Sequence, residues 1–231
     1  MSPLEPVDER LQQAMKLVLL ALVPGLLVLF WWYGWGLLIN LLLAAVTALG
    51  VEGAVLKLRG RELRPTLSDG SALVSATLLA VALPAYCPWW LTVSAVAFAL
   101  LGKQLYGGVG KNPFNPAMLG LALVLVTFPQ PMAHWPAHGM DLLAGLQQVF
   151  DLRSGPTPDA WAQATALDSL RINKSLTIDE LFAANTAFGH FGARGVEWAN
   201  LAFLAGGLFL LQRRVFSWHA TVGMLASLFV I

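Results

Sequence analysis

The segment GGVGKNPFNP, residues 107–116, separates two strongly apolar stretches and decides how this chain divides into helices. Its glycines allow the backbone to turn tightly or to approach another group closely. Asn115 followed by Pro116 is typical of a helix start, because asparagine caps a helix well and proline is favoured at the first helical position. We therefore predict that a helix begins at Pro116.

The composition predicts that this helix lies in a membrane. Hydrophobic residues make up 57% of the 231 residues and charged residues only 12%, about half the charged fraction of a typical soluble domain, which is roughly 25%. The net charge of +1 leaves no basic field that would favour nucleic acid. Cys87 is the single cysteine and cannot by itself form an intrachain disulfide or hold an iron–sulfur cluster. We predict an all-α integral membrane protein, a polytopic helical bundle, in which any redox group is organic or shared with a partner.

The helix after the glycine-rich turn is predicted to be short or broken. Its apolar run ends at Phe128, so it is about 20 Å long, whereas the hydrocarbon core of a bilayer is about 30 Å thick. The turn before it has two interpretations that the residues leave open. It is a plain connection at the membrane surface, or it is half of a binding site built on a helix amino terminus.

Apolar runs of nearly membrane-spanning length define the rest of the chain. Residues 1–128 are predicted to form about five membrane helices, the fifth being the short one, and residues 129–197 form a long polar loop. Residues 198–231 contain further membrane helices, and we expect the chain to be truncated because its last apolar run has no exit. The predicted spans are Ala14 to Trp32, Trp35 to Leu56, Ser71 to Leu83, Trp89 to Leu105, Trp198 to Leu211 and Trp218 to Ile231.

The lysines and arginines predict the orientation. An amino terminus in the cytoplasm assigns ten of the fourteen, among them Lys57, Lys103 and Lys111, to the cytoplasmic side or its margin. The other four lie in the loop 129–197, and long loops cross the membrane largely regardless of charge. This assignment places the loop outside the cytoplasm.

Two acidic residues are candidates for an ion pathway. Glu52 lies within the second predicted span, where an unpaired charge costs at least about 2.5 kcal/mol. It either pairs with Lys57 or reaches the interface, or else it takes part in ion movement. Asp69 either caps the third helix, with Ser71 as a neighbour, or contributes to a cation site. No metal site is predicted, because only His134 and His138 among the four histidines are close in sequence and Pro136 between them opposes a common helical face.

Three segments together resemble one family. They are KQLYGGVGKNPFNPAM at 103–118, DGSALVSATLLAVALP at 69–84 and QATALD at 163–168. They are similar to the RnfD family of the bacterial Rnf electron-transport complex and, more distantly, to the NqrB family of the sodium-translocating NADH:quinone oxidoreductase. The resemblance implies a bacterial inner-membrane subunit of an ion-translocating ferredoxin:NAD oxidoreductase, which couples electron flow to sodium or proton transport. Expected partners are the other membrane and peripheral iron–sulfur or flavin subunits, through which ferredoxin and NAD(H) act, and no catalytic residue is expected in this chain alone.

The resemblance also implies covalent FMN. In the family the flavin is attached through its phosphate to a threonine in a motif resembling Asp-Gly-x-Ser-x-Ala-Thr, which falls on residues 159–165 and makes Thr165 the acceptor in a periplasmic loop. Ala160, Ala162 and Ala166 depart from the glycine, the serine and the following proline of that pattern. Spacing alone does not select Thr165 over Thr157, Thr177 or Thr186. A second, non-covalent flavin near the glycine-rich turn would make Lys111, Asn112 and Asn115 cofactor-binding residues.

Two other functions fit the same helices. A solute transporter or channel subunit would use the broken helix to bind its solute and would carry no redox group. A scaffold subunit would only hold partner proteins. Flavin fluorescence in a denaturing gel distinguishes the redox relay from both.

Overall fold

The chain is folded mainly into α-helices. The computed structural model describes residues 9–61, 67–108, 112–152, 162–163, 165–173, 175–185, 187–190 and 192–230. The first two helices, α1 (Glu9–Tyr33) and α2 (Trp35–Leu58), are joined by Gly34 alone, whose φ of 57° suits glycine. By length and composition, these are the two described helices that are both long and apolar enough to cross a membrane. Their starts and ends agree with the first two predicted spans to within a few residues.

The third helix is shorter than the sequence predicts. Helix α3 (Ser71–Ala82) has 12 residues and is about 18 Å long at 1.5 Å per residue. It ends because Leu83 precedes Pro84, and a residue before proline is disfavoured in helical conformation; its φ and ψ are −89° and 147°. The prediction of one short helix was therefore incomplete, since there are two.

The second short helix follows the glycine-rich turn, as predicted. Helix α4 (Trp89–Leu105) precedes the turn and has the predicted bounds, and helix α5 (Pro116–Thr127) follows it with 12 residues. The Asn115 side chain accepts hydrogen bonds from the backbone N–H groups of Ala117 and Met118 at 3.0 and 3.5 Å, which confirms the predicted cap. The chain breaks at Phe128 and continues in the five-residue helix α6 (Pro129–Ala133). Lys111 lies outside the described residues.

The predicted polar loop contains regular structure of its own. Strand β1 (Trp135–Pro136) pairs antiparallel with β2 (Ala162–Gln163), and Trp135 lies opposite Gln163. This small sheet corrects the purely α-helical prediction. Three helices complete the region: α7 (Leu142–Phe150), α8 (Ala166–Ile172) and α9 (Ile178–Ala184). Two helices follow it, α10 (Val196–Gln212) and α11 (Trp218–Val230).

Small side chains allow the apolar helices to pack closely. Helices α2, α3, α4 and α5 contact one another around a core rich in alanine, including Ala44, Ala76 and Ala99. Helix α10 packs along α1, where a Cβ atom on Gly206 would overlap the carbonyl oxygen of Ala21. Outward-facing apolar residues such as Leu42 and Val126 are largely exposed. An interface of small residues with apolar outer faces is typical of helices packed in lipid.

Tyr86 fastens the loop region to the helices. Its side chain is fully buried, and its φ of 65° is uncommon for a residue other than glycine. The Tyr86 hydroxyl donates to the carbonyl of Tyr33 at 2.8 Å and accepts from the backbone N–H of Met140 at 2.7 Å. One side chain between α3 and α4 thus joins the end of α1 to the segment that follows β1.

Candidate functional site

A buried ion pair links two of the apolar helices. Glu52 on α2 is fully buried, and the ammonium nitrogen of Lys103 on α4 lies 2.5 Å from its Oε1 atom. The side-chain amide of Gln104 donates to the same oxygen at 2.8 Å. The expectation that Glu52 pairs with Lys57 or reaches the interface is therefore wrong, because Lys57 lies exposed on the same helix while a neighbouring helix supplies the cation. Lys103, interpreted from sequence as a cytoplasmic surface residue, is only 2% exposed.

Hydrogen bonds continue from this pair to Asp69. Lys103 Nζ donates to the Ser71 hydroxyl at 2.6 Å, and that hydroxyl donates to Oδ1 of Asp69 at 2.5 Å. Asp69 also accepts from the Ser71 backbone N–H at 2.7 Å. The residue at the cap position of α3 is Gly70, whose side chain offers nothing, so Asp69 satisfies a backbone donor at the helix start from one position earlier than predicted.

The pair has one unsatisfied atom. Among the residues that the structure describes, Oε2 of Glu52 is buried and has no hydrogen-bond partner. A buried carboxylate oxygen without a donor costs free energy, and such an atom in a membrane helix is a functional candidate. The guanidinium of Arg59 donates to the Gln104 carbonyl at 2.7 Å and adds a second positive charge close to the cluster.

A cavity of about 330 Å³ adjoins the cluster. The glycine-rich turn and the start of α5 form one wall of this cavity, so the structure brings Asn112 and Asn115 into contact with the same space as Lys103 and Ser71. The Asn115 amide oxygen is used in capping α5, whereas the side-chain nitrogen of Asn112 is buried without a partner in the described part of the chain. The lining residues are Met15, Ser71, Val74, Ser75, Leu78, Lys103, Gly108, Asn112, Pro113, Phe114, Asn115 and Pro116.

Thr165 lies at the start of a short helix in the loop region. It caps α8, and its hydroxyl donates to Oδ2 of Asp168 at 2.7 Å while accepting the Asp168 backbone N–H at 3.1 Å. The side chain of Thr165 is partly buried. Strand β2 ends two residues earlier, so its pairing with β1 fixes the approach of the chain to Thr165. Residues 159–161 and 164 of the proposed attachment motif lie outside the described residues.

A larger cleft of about 860 Å³ lies where α1 and α2 meet the loop region. Trp31 is 89% exposed, and Trp32 and Trp35 line the same space, together with the imidazole of His138 and the guanidinium of Arg194. Sequence reasoning missed this cleft because it interpreted these tryptophans only as residues of the membrane interface. The available signal was the density of aromatic residues in WWYGW at 31–35. Gly34 within that segment forms a bridge to Met140, which holds the two walls together.

Comparison with known proteins gives concordant matches over nearly the whole chain. The family model described as the NQR2, RnfD, RnfE family matches residues 2–231. The RnfD component of the ion-translocating oxidoreductase complex of Ectopseudomonas mendocina strain ymp is 59% identical over 231 residues, covering 99% of this chain and 67% of that protein. The corresponding component from Pseudomonas aeruginosa strain LESB58 is 57% identical with the same coverage. The one from Alcanivorax borkumensis is 45% identical, covering 98% of this chain and 67% of its own length.

Proposed function

The chain belongs to the NQR2, RnfD, RnfE family, and from this premise we propose that it is the membrane redox component, of the RnfD type, of an ion-translocating oxidoreductase complex. In this proposal it carries FMN on Thr165 and relays electrons between partner subunits. The complex passes electrons between ferredoxin and NAD and couples this flow to sodium or proton transport. The chain contributes a cofactor and an ion route to that reaction and has no catalytic activity alone.

The hydrogen bond between Thr165 and Asp168 carries the flavin proposal. A hydroxyl that becomes a phosphoester must lose its proton, and the Asp168 carboxylate already accepts a hydrogen bond from that hydroxyl at 2.7 Å. The cap also fixes the direction of the Thr165 side chain at the start of α8. Thr177 caps α9 through Glu180 in a similar way, but Glu180 is wholly exposed. Capping alone therefore does not distinguish the two threonines, and the family pattern selects Thr165.

The loop face offers groups that fit a flavin. FMN accepts one or two electrons and can connect donors and acceptors that differ in number. Thr165 would hold its phosphate, and the outer cleft provides indole faces of Trp31 and Trp35 for stacking and the Arg194 guanidinium for a negative charge. Because β2 pairs with β1, the segment that leads to Thr165 runs beside the strand that continues into this cleft. The orientation that fits the proposal places this face in the periplasm of a bacterial inner membrane and the amino terminus in the cytoplasm.

We assign the ion route to the opposite ends of the helices, at Glu52 and Asp69. Both carboxylates are buried and belong to one hydrogen-bonded cluster. We do not extend the proposal to a second, unattached flavin in the adjoining cavity. The polar groups that would bind it are engaged, since Asn115 caps α5 and Lys103 bonds to Glu52 and Ser71.

The attachment of FMN is tested by in-gel fluorescence of the purified complex after denaturing electrophoresis. The complex is produced in cells that contain the flavin-attaching enzyme. We expect a fluorescent band for the wild-type chain and for Thr177→Ala, and no band for Thr165→Ala. A dark wild-type band, or a fluorescent Thr165→Ala band, would overturn the assignment and favour a transporter or a scaffold.

A further inference from the structure

We propose that Glu52, Lys103, Ser71 and Asp69 form a proton relay, so that the ion which this part of the chain handles is a proton and not a metal cation. The inference rests on the proposed function in one respect, namely that the complex moves ions across the membrane. It goes beyond that function by naming the ion and the order of the groups.

The cluster has the continuity that a relay requires. Lys103 donates to Ser71 at 2.6 Å, and Ser71 donates to Asp69 at 2.5 Å. On its other side Lys103 donates to Glu52 Oε1 at 2.5 Å. The Ser71 hydroxyl both accepts and donates within the relay, as a hydroxyl can. Each donor therefore already faces the acceptor that would receive its proton.

The transfer balances in protons and charge. The Lys103 ammonium gives a proton to the Ser71 oxygen while the Ser71 hydroxyl gives its own proton to Asp69, which leaves a neutral amine and a neutral carboxylic acid. Asp69 then releases its proton. A proton that arrives at the unpartnered Oε2 of Glu52 forms a second carboxylic acid, which passes a proton to the Lys103 amine and restores the ion pair. One proton enters and one leaves in each cycle, and the same steps operate in reverse.

The donors around Glu52 oppose a metal cation. A hard cation needs several oxygen ligands, but Oε1 of Glu52 is already held by the Lys103 ammonium and by the Gln104 amide N–H. The Arg59 guanidinium, which bonds to the Gln104 carbonyl, adds a further positive charge beside them. In the described ranges of the chain, no group of three or more His, Cys, Asp or Glu residues is placed to hold a metal ion. The ammonium takes the position that a metal cation would need.

The relay has a route to water on one side. Ser71 and Lys103 line the cavity of about 330 Å³ beside the glycine-rich turn, and such a volume has room for several waters. Glu52 is fully buried and faces away from solvent. Protons therefore exchange with the cavity at Ser71 and Asp69, whereas Glu52 is the inner member of the relay.

The test compares proton movement with electron transfer in membrane vesicles that contain the whole complex. The first variant is Asp69→Asn, whose amide oxygen still accepts both Ser71 bonds but cannot take up a proton. The second is Ser71→Ala, with Ser71→Thr as the variant that keeps a hydroxyl. Ser75→Ala is the matched control, because the Ser75 hydroxyl donates only to the Ser71 carbonyl. Vesicle acidification is followed with a pH-sensitive dye, and electron transfer is followed on the same vesicles.

We expect Asp69→Asn and Ser71→Ala to lower proton movement at least about 100-fold per electron transferred, the lower end of what a positioned proton-transfer group contributes. Ser71→Thr and Ser75→Ala should retain it. Proton movement at the wild-type rate in both Asp69→Asn and Ser71→Ala, or wild-type transport that carries sodium and no protons, would overturn the relay. The flavin band reports separately on Thr165. A colourless chain whose proton movement still depends on Ser71 would refute the flavin proposal and leave the relay standing.

Discussion

The ammonium of Lys103 lies 2.5 Å from Oε1 of Glu52, at a point where neither side chain is more than 2% exposed. The two residues are 51 positions apart in sequence and belong to different helices. Their pairing fixes the mutual position of α2 and α4 near the same ends at which α3 begins. A buried ion pair of this kind adds little net stability compared with an apolar pair, but loss of one partner leaves an uncompensated charge.

Removing Lys103 alone should destabilise the protein strongly. We expect Lys103→Met to lower the free energy of unfolding by about 3–5 kcal/mol, because Glu52 would remain charged and buried. Adding Glu52→Gln should recover most of that loss. Thermal unfolding in detergent measures both variants, with Lys57→Met as the control on an exposed lysine near the same carboxylate. A loss in Lys57→Met equal to that in Lys103→Met would contradict the pairing.

The hydroxyl of Tyr86 should stabilise the attachment of the loop region to the helices. Tyr86→Phe removes the partner of the Met140 N–H and of the Tyr33 carbonyl, and each buried polar group left without a partner costs about 1–3 kcal/mol. We expect faster proteolysis within residues 134–152. Tyr106→Phe serves as the control, since Tyr106 is 53% exposed. Equal cleavage rates for the two variants would show that the Tyr86 hydroxyl does not hold the loop.

Cys87 should be inert towards thiol reagents in the folded protein. Burial raises the pKa of its thiol to about 11, and the thiolate is the reactive form. Since Cys87 is the single cysteine of the chain, maleimide labelling at about pH 8, close to the ordinary thiol pKa, reports on it directly. We expect labelling only after denaturation, whereas Ser175→Cys in a Cys87→Ala background, at an exposed position, should react at once. Rapid labelling of native Cys87 is the contrary result.

The capping box of α9 should respond to acid. The backbone N–H of Thr177, followed by its hydroxyl, donates to Glu180 and lowers the pKa of that carboxyl below its ordinary value of 4.5. A lowered folded pKa means that this contribution to helix stability is complete above the ordinary value and is lost as the pH falls through the folded value. Hydrogen exchange of the Leu181 amide measures the opening of this turn. We expect Glu180→Gln to remove the acid dependence, and an unchanged pH profile in that variant would contradict the assignment.

Local signals determine the helix ends, and these were accessible from sequence. Helix α4 has the predicted bounds because Pro88 precedes it and a glycine-rich turn follows it, and Asn115 with Pro116 marks the start of α5. The length of α3 was predicted less well, since apolar character continues past Ala82 although Pro84 already ends the helix. A local rule about residues before proline was available there and was outweighed by hydropathy.

Contacts between helices were not accessible in the same way. Glu52 was correctly singled out as an ionisable residue in an apolar helix, yet its nearest cation in sequence, Lys57, is not its partner. Which faces of α2 and α4 meet depends on the packing of alanines along the whole bundle, and a single sequence does not state that register. The outer cleft was missed for the same reason, because its tryptophans and Arg194 come from segments far apart in the chain.

The mass of the intact polypeptide tests the central claim, a flavin carried on Thr165, most directly. The chain purified from cells with the flavin-attaching enzyme should exceed its sequence mass by one FMN less one water. The Thr165→Ala chain should have its sequence mass alone, and Thr177→Ala should keep the addition. An unmodified wild-type mass, or an addition that persists in Thr165→Ala, would contradict the account.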